Sequence, residues 1–120
     1  MKIELFNLPK LSLNKWYAGV HWSKRKRIKD KYKILIKSQF KKVLTKNKVY
    51  EVQYTFCFKN QPLDASNCVA MLKLIEDIIF EDDGYKIISS INIKSRKSIA
   101  DSVEINIVSS TDKLLKDSIV

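Results

Sequence analysis

The sequence predicts a single α+β domain over residues 1–120, a mixed four-stranded sheet packed with two main helices in the order β-α-β-α-β-β. Two observations carry this reading. In four stretches apolar residues alternate with period two, and in two others they recur at spacings of three and four. A third observation sets the scale: 120 residues, 45% of them hydrophobic, with only two Gly and two Pro, suit one core and leave no room for a separate module. The chain has no repeat and no linker.

Met1 to Asn7 is the expected first strand. From about Lys24 to Thr45 the apolar residues Ile28, Tyr32, Leu35, Ile36, Phe40, Val43 and Leu44 recur at helical spacing, giving a narrow buried stripe and a broad cationic face. From Val49 to Lys59 the period becomes two, with Tyr50, Val52, Tyr54, Phe56 and Phe58 alternating against Glu51, Gln53, Thr55 and Cys57. Such an aromatic face can stack bases, but it is also what a sheet needs beneath covering helices, and the core reading is preferred. After Asn60-Gln61-Pro62, helical spacing returns over Ser66 to Phe80 through Val69, Leu72, Ile75 and Ile79, bounded by the proline before and Gly84 after. Two alternating runs, Ile87 to Lys94 and Ser102 to Val108, are joined by the polar stretch Ser95 to Asp101, which predicts a hairpin. Thr111 to Val120 is expected to add a short helix.

Composition narrows the chemistry. Lys plus Arg number 23 against 13 Asp plus Glu, a formal charge of +10, so a polyanion is the natural partner, with nucleic acid ahead of a membrane surface. The excess is amino-terminal: residues 1–60 hold 16 cations and 3 acids, whereas residues 61–120 hold 7 and 10. Its centre is Lys24-Arg25-Lys26-Arg27, continuing through Lys29, Lys31, Lys33 and Lys37 on the predicted helix, and a phosphate-facing surface is preferred over a merely solvated one. Cys57 and Cys68, with His21 the single histidine, make no zinc pattern, and reduced thiols are expected. No apolar run approaches the roughly 18 residues of a membrane span, so the expected location is the cytoplasm. A lone histidine and the lack of a Gly-rich phosphate loop argue against a Ser-His-Asp hydrolase and against a nucleotide cofactor. Any chemistry falls to carboxylates.

Acids of the second half cluster around the second helix: Asp64 before it, Glu76 and Asp77 near its end, and Glu81-Asp82-Asp83 after it. At about 100° per residue, Ser66, Ala70, Lys73 and Asp77 share one helical face. Because helical side chains tilt toward the amino terminus, Lys73 is expected to lean toward Ser66 and Asp64, with Asp77 one turn behind. Carboxylates bracketing a helix beside a lysine suit metal-assisted phosphodiester cleavage: hard oxygen ligands hold Mg²⁺ and the cation offsets transition-state charge. Helix capping by Asp64 beside a solvated acidic turn explains the same residues, and charge clustering alone leaves both readings open.

These segments resemble, in order and spacing, the RusA-type Holliday junction resolvases of phages and prophages. Leu13-Asn14-Lys15-Trp16-Tyr17 is similar to the family's early Asn-x-x-Trp/Tyr segment and precedes a basic helix. Leu63-Asp64-Ala65-Ser66-Asn67 resembles its Asp-x-Asp-Asn, Lys73-x-x-x-Asp77 its Lys-x-x-x-Asp, and Asp82-Asp83 its paired acids before a hydrophobic strand. The likeness covers nearly the whole chain, with two departures. Ser66 stands where the family has its second aspartate, and Lys73 lies three residues later than the commonest spacing from Asn67.

The resemblance implies a RusA-like fold and a homodimeric, Mg²⁺-dependent endodeoxyribonuclease, with Mn²⁺ as a substitute ion, that cuts four-way DNA junctions by paired symmetric nicks in a phage- or prophage-bearing bacterial cell. It gives catalytic roles to Asp64, Lys73 and Asp83. Metal ligation falls to Asp64 and Asp83, with Asp82 and Asp77 as further contributors, and Ser66 and Asn67 support the site. DNA contacts are expected from Asn14, Lys15, Lys24, Arg25, Lys26, Arg27, Lys29 and Lys33. The leading alternative is a non-catalytic basic DNA-binding protein derived from that family; a weaker one is a basic module for an acidic protein.

Overall fold

The computed structural model describes residues 1–18 and 21–110; the helix expected over Thr111 to Val120 lies outside them. Four strands, β1 (Lys2–Phe6), β2 (Val49–Phe58), β3 (Ile88–Lys97) and β4 (Ser102–Ser110), form one sheet in the order β1-β4-β2-β3. Helices α1 (Leu13–Tyr17), α2 (Trp22–Gln39) and α3 (Val69–Ile79) accompany it, the last preceded by a 3-10 turn over Ala65–Cys68. The chain thus has the expected α+β class with a mixed four-stranded sheet. Among the described residues no helix is long and apolar enough to cross a membrane.

The aromatic face of β2 is the core. Tyr50, Val52, Tyr54, Phe56 and Phe58 are buried, backed by Ile105 and Val103 of β4 and by Ile3 and Leu5 of β1. On the other side of these residues lie Leu72, Ile75 and Ile79 of α3 with Tyr32 and Ile36 of α2. Burying one such side chain is worth about 1.5–3 kcal/mol, which is why the period-two and helical patterns hold where they do. Cys57 and Cys68 are buried free thiols.

Three expectations are corrected. The hairpin between the last two strands does not form: β2 lies between them, pairing parallel with β3 and antiparallel with β4. The connection crosses the end of β2, where Ser98 N donates to the Phe58 carbonyl at 2.8 Å and Lys59 N to Asp101 Oδ1 at 2.8 Å. Pairing through α3 as a parallel crossover buries the aromatic strand at the centre of the sheet, a gain no local turn signal reports.

The basic helix starts earlier and ends sooner than Lys24 to Thr45. His21 caps it, Nδ1 accepting from Ser23 N at 3.2 Å, and after Gln39 the chain extends so that Leu44 bridges alongside Phe80. Leu44 N donates to the Ile79 carbonyl at 2.7 Å and Glu81 N to the Leu44 carbonyl at 2.9 Å, bonds that a continued helix would forgo. The second predicted helix, Ser66 to Phe80, divides into the 3-10 turn and α3, and α1 adds a short helix that the spacing did not predict. Ser12 Oγ caps α1 by accepting from Lys15 N at 3.1 Å.

Candidate functional site

The helix α3 carries an ion-pair cluster at its carboxyl-terminal half. Lys73 Nζ donates to Asp83 Oδ2 at 3.0 Å and lies 3.6 Å from Glu76 Oε2. The lysine therefore does not lean toward Ser66 and Asp64 as expected. It turns to two carboxylates, one of them buried, whose attraction outweighs the rotamer preference. The bond to Asp83 raises the Lys73 pKa, with the charges of Glu76, Asp83 and Asp77 adding to the effect against partial desolvation.

Glu76 is 2% exposed and is the one buried charged residue among those described. Burial pushes its carboxyl up to about 7, against the opposing charge of Lys73, and Asp83 and Asp77 add further upward pressure. Its Oε1 has no hydrogen-bond partner, and neither does the buried hydroxyl of Tyr54. Burial raises the Tyr54 pKa, and the charges of Glu76 and Asp83 raise it further. Sequence reasoning gave Glu76 no role. The signal was present: Leu72, Ile75, Glu76 and Ile79 fall at i, i+3, i+4 and i+7, which puts a carboxylate in an apolar stripe.

Asp83 is held by the turn after α3. Lys46 N donates to Glu81 Oε2 at 2.9 Å, and Gly84 N donates to Asp82 Oδ1, also at 2.9 Å. A Cβ at position 84 would lie 3.3 Å from that Asp82 oxygen, so a glycine lets the carboxylate fold back over the turn. Asp82 thus shapes the turn that presents Asp83. Asp77 is exposed one position beyond Glu76 and reaches the cluster through its charge.

Asp64 stands at the other end of α3, exposed at the start of the 3-10 turn. Its side chain makes no capping bond, so helix capping does not account for it; its carbonyl accepts from Asn67 N at 2.8 Å. Ser66 is exposed and caps neither the turn nor α3, while Asn67 is half-buried. Asp64 opens onto a cleft lined by Gln61, Leu63, Ser95, Arg96 and Lys97. Ser95 Oγ donates to the Leu63 carbonyl and ties this turn to β3. Arg96 and Lys97 are cations beside Asp64 that the sequence reading placed in a plain polar connection. Arg96 also reaches Glu104, with Nη2 3.4 Å from Oε1.

Comparison with family models, curated proteins and solved structures returned no match. The site is therefore judged on its own donors. Asp64 and Asp83 are exposed hard-oxygen donors of the kind Mg²⁺ takes, and that ion commonly uses only one or two carboxylates and fills the rest of its shell with water and substrate phosphate. Among the described residues, no three His, Cys, Asp or Glu side chains converge as a metal-holding group. Asp64, Asp83, Asp82 and Asp77 thus do not assemble into one cage, and Ser66 supplies no carboxylate where the resemblance asks for one.

Helix α2 and its neighbours carry the cations. Lys24, Lys26, Arg27, Lys29 and Lys33 are exposed, as are Asn14 and Lys15 on α1, and one acid, Asp30, lies 3.8 Å from Lys26. Arg25 differs from the rest. Its guanidinium donates through Nη2 to the Trp16 carbonyl at 2.6 Å and lies 5.0 Å from the centre of the Trp16 ring. It joins α1 to α2 and is a structural tie before it is a DNA contact. Arg25→Ala is expected to cost about 1–3 kcal/mol, from one charge-assisted hydrogen bond and one cation–π contact, read as a lower midpoint in urea unfolding. Arg27→Ala, at an exposed position, leaves the midpoint within about 0.5 kcal/mol.

Proposed function

We propose that this chain is a structure-selective endodeoxyribonuclease of the RusA type, which resolves four-way DNA junctions by Mg²⁺-dependent symmetric cleavage as a homodimer. The observation that carries the reading is the 3.0 Å contact between Lys73 and Asp83, ten residues apart. These are two of the three residues to which the resemblance gives catalytic roles, and the third, Asp64, lies exposed at the other end of the same helix. Further support comes from the packing of α2 against α3 and of α1 against the 3-10 turn, which gathers the cationic elements around the acidic one.

Within this reading, Asp64 and Asp83 are carboxylates, one toward each end of α3, that would be offered to Mg²⁺, and a bound ion would supply Lewis-acid polarisation of the phosphodiester. Lys73 offers its ammonium to the charge that develops on the phosphate oxygens. Glu76 and Asp83 hold that ammonium in place. The exposed lysines and Arg27 of α2 grip flanking phosphates, so recognition proceeds by shape and charge before base sequence. A two-fold symmetric dimer suits the approximate two-fold symmetry of a junction.

A second reading, a basic DNA-binding protein without cleavage, is favoured by two observations: no three carboxylates converge among the described residues, and Ser66 stands where the resemblance asks for an aspartate. Incubating a synthetic four-way junction with the protein in Mg²⁺ and in EDTA separates the two. Nicks in Mg²⁺ alone support the nuclease; a junction bound but intact in both supports the second reading.

The phosphate grip makes its own prediction. With roughly four to six cations per subunit on DNA, log K falls with log salt by about 0.9 per contact. Lys29→Glu with Lys33→Glu, one turn apart on an exposed face, is expected to flatten that slope by about two contacts per subunit. An unchanged slope removes α2 from the DNA surface.

A further inference from the structure

Two large rings stand in solvent where α1 gives way to α2. Tyr17, the last residue of α1, and Trp22, the first of α2, are each 71% exposed. Their surroundings are tied down. Trp16 packs against the core, and the Arg25 guanidinium over its ring links the two helices that carry the exposed rings. The Trp22 ring lies 5.6 Å from the His21 imidazole, with the planes tilted 35°, and His21 is itself held as the cap of α2. The rings are thus presented from a braced corner of the fold.

Along the chain they lie in an interval of one sign. The sequence has no acid between Glu4 and Asp30, and Lys15, Lys24, Lys26 and Arg27 fall inside that interval, all of them exposed. A surface of flat apolar rings among cations complements a ligand with flat apolar faces strung on negative charge. An acidic protein surface would satisfy the lysines but leave the rings uncovered, and paired duplex keeps its base faces stacked within the helix.

We propose that Tyr17 and Trp22 form a stacking platform for unpaired nucleobases, with Lys15 and Lys24 holding the adjoining phosphates. The inference rests on the nucleic-acid reading above and deepens it. Because α1 packs against the 3-10 turn that begins beside Asp64, the platform adjoins one end of the candidate site and would engage bases unstacked near the strand to be cut.

The test compares fluorescein-labelled dT12 with an abasic strand of the same length, which keeps the phosphates and lacks the bases. Wild-type protein is expected to bind dT12 at least roughly ten-fold more tightly than the abasic strand, the gain ordinary for base–aromatic stacking. The double variant Tyr17→Ala, Trp22→Ala should lose that preference and keep its affinity for the abasic strand within about two-fold, and Trp22→Phe with Tyr17 retained should keep most of it. Both side chains are exposed, so the thermal midpoint should not move. Equal wild-type affinity for the two strands, with a steep salt dependence, overturns the platform and leaves the nuclease reading standing; so does a preference that survives in the double variant. Binding to neither strand, nor to a four-way junction, contradicts both.

Discussion

Replacing Asp64 with Asn is expected to lower single-turnover junction cleavage at least about a thousand-fold while leaving junction affinity unchanged or slightly tighter. A thousand-fold corresponds to roughly 4 kcal/mol of transition-state stabilisation, within the range of losing one anionic ligand to a catalytic cation. The change is close to isosteric, and it removes a negative charge from the surface proposed to meet phosphate. It also spares the fold, because the Asp64 side chain is exposed and makes no capping bond. The unfolding midpoint should therefore stay where it is, and the loss can be assigned to the site. Lys73→Ala gives a contrasting pattern: a smaller rate loss, about a hundred-fold, joined to lower stability, because Glu76 loses its nearby ammonium. Full turnover in Asp64→Asn removes that residue from the site.

The second large effect is on folding. Glu76 has its carboxyl raised to about 7 by burial, whereas in the unfolded chain it titrates near 4.5. The native state holds this proton more tightly, so its contribution to stability is full below about pH 4.5 and is lost as pH rises through about 7. Over that window the group removes on the order of 3 kcal/mol. Urea unfolding in EDTA is expected to give a lower midpoint at pH 8 than at pH 5. Glu76→Gln should abolish most of that difference and be the more stable protein at pH 8, since an amide occupies the buried position without ionising. A wild-type midpoint that does not fall across this window would mean that Lys73 fully compensates the buried charge.

The elements that bury a continuous stripe were legible before the structure. The alternation through Tyr50, Val52, Tyr54, Phe56 and Phe58 placed β2, and the run Val69, Leu72, Ile75, Ile79 placed α3, because side-chain period and burial have one cause. Sheet order was not legible. Ile88–Lys97 and Ser102–Ser110 read as neighbours because they are consecutive, whereas the sheet inserts β2 between them, and that preference arises from contacts far apart in sequence. Helix α2 stops at Gln39 for a similar reason, since Leu44 is drawn to Phe80 by backbone bonds that no local residue announces.

For the site, the pairing of Lys73 with Asp83 was not legible: the resemblance named both residues without joining them, and helix geometry pointed the ammonium toward Ser66 and Asp64. Glu76 was overlooked because it was counted among the acids near a helix end, although its place in the apolar stripe marked it as buried. Arg25 was grouped with the other cations by composition. Only its contact with Trp16 separates a structural tie from a phosphate contact.

The most direct measurement is a nick map. A four-way junction, end-labelled on each strand in turn, is incubated with wild-type protein in Mg²⁺, in EDTA, and beside a linear duplex of the same sequence. The account predicts paired nicks at positions symmetric across the branch point, in Mg²⁺ only, with the duplex left intact. A junction that is bound but uncut in Mg²⁺, or a duplex cut as readily as the junction, would contradict it.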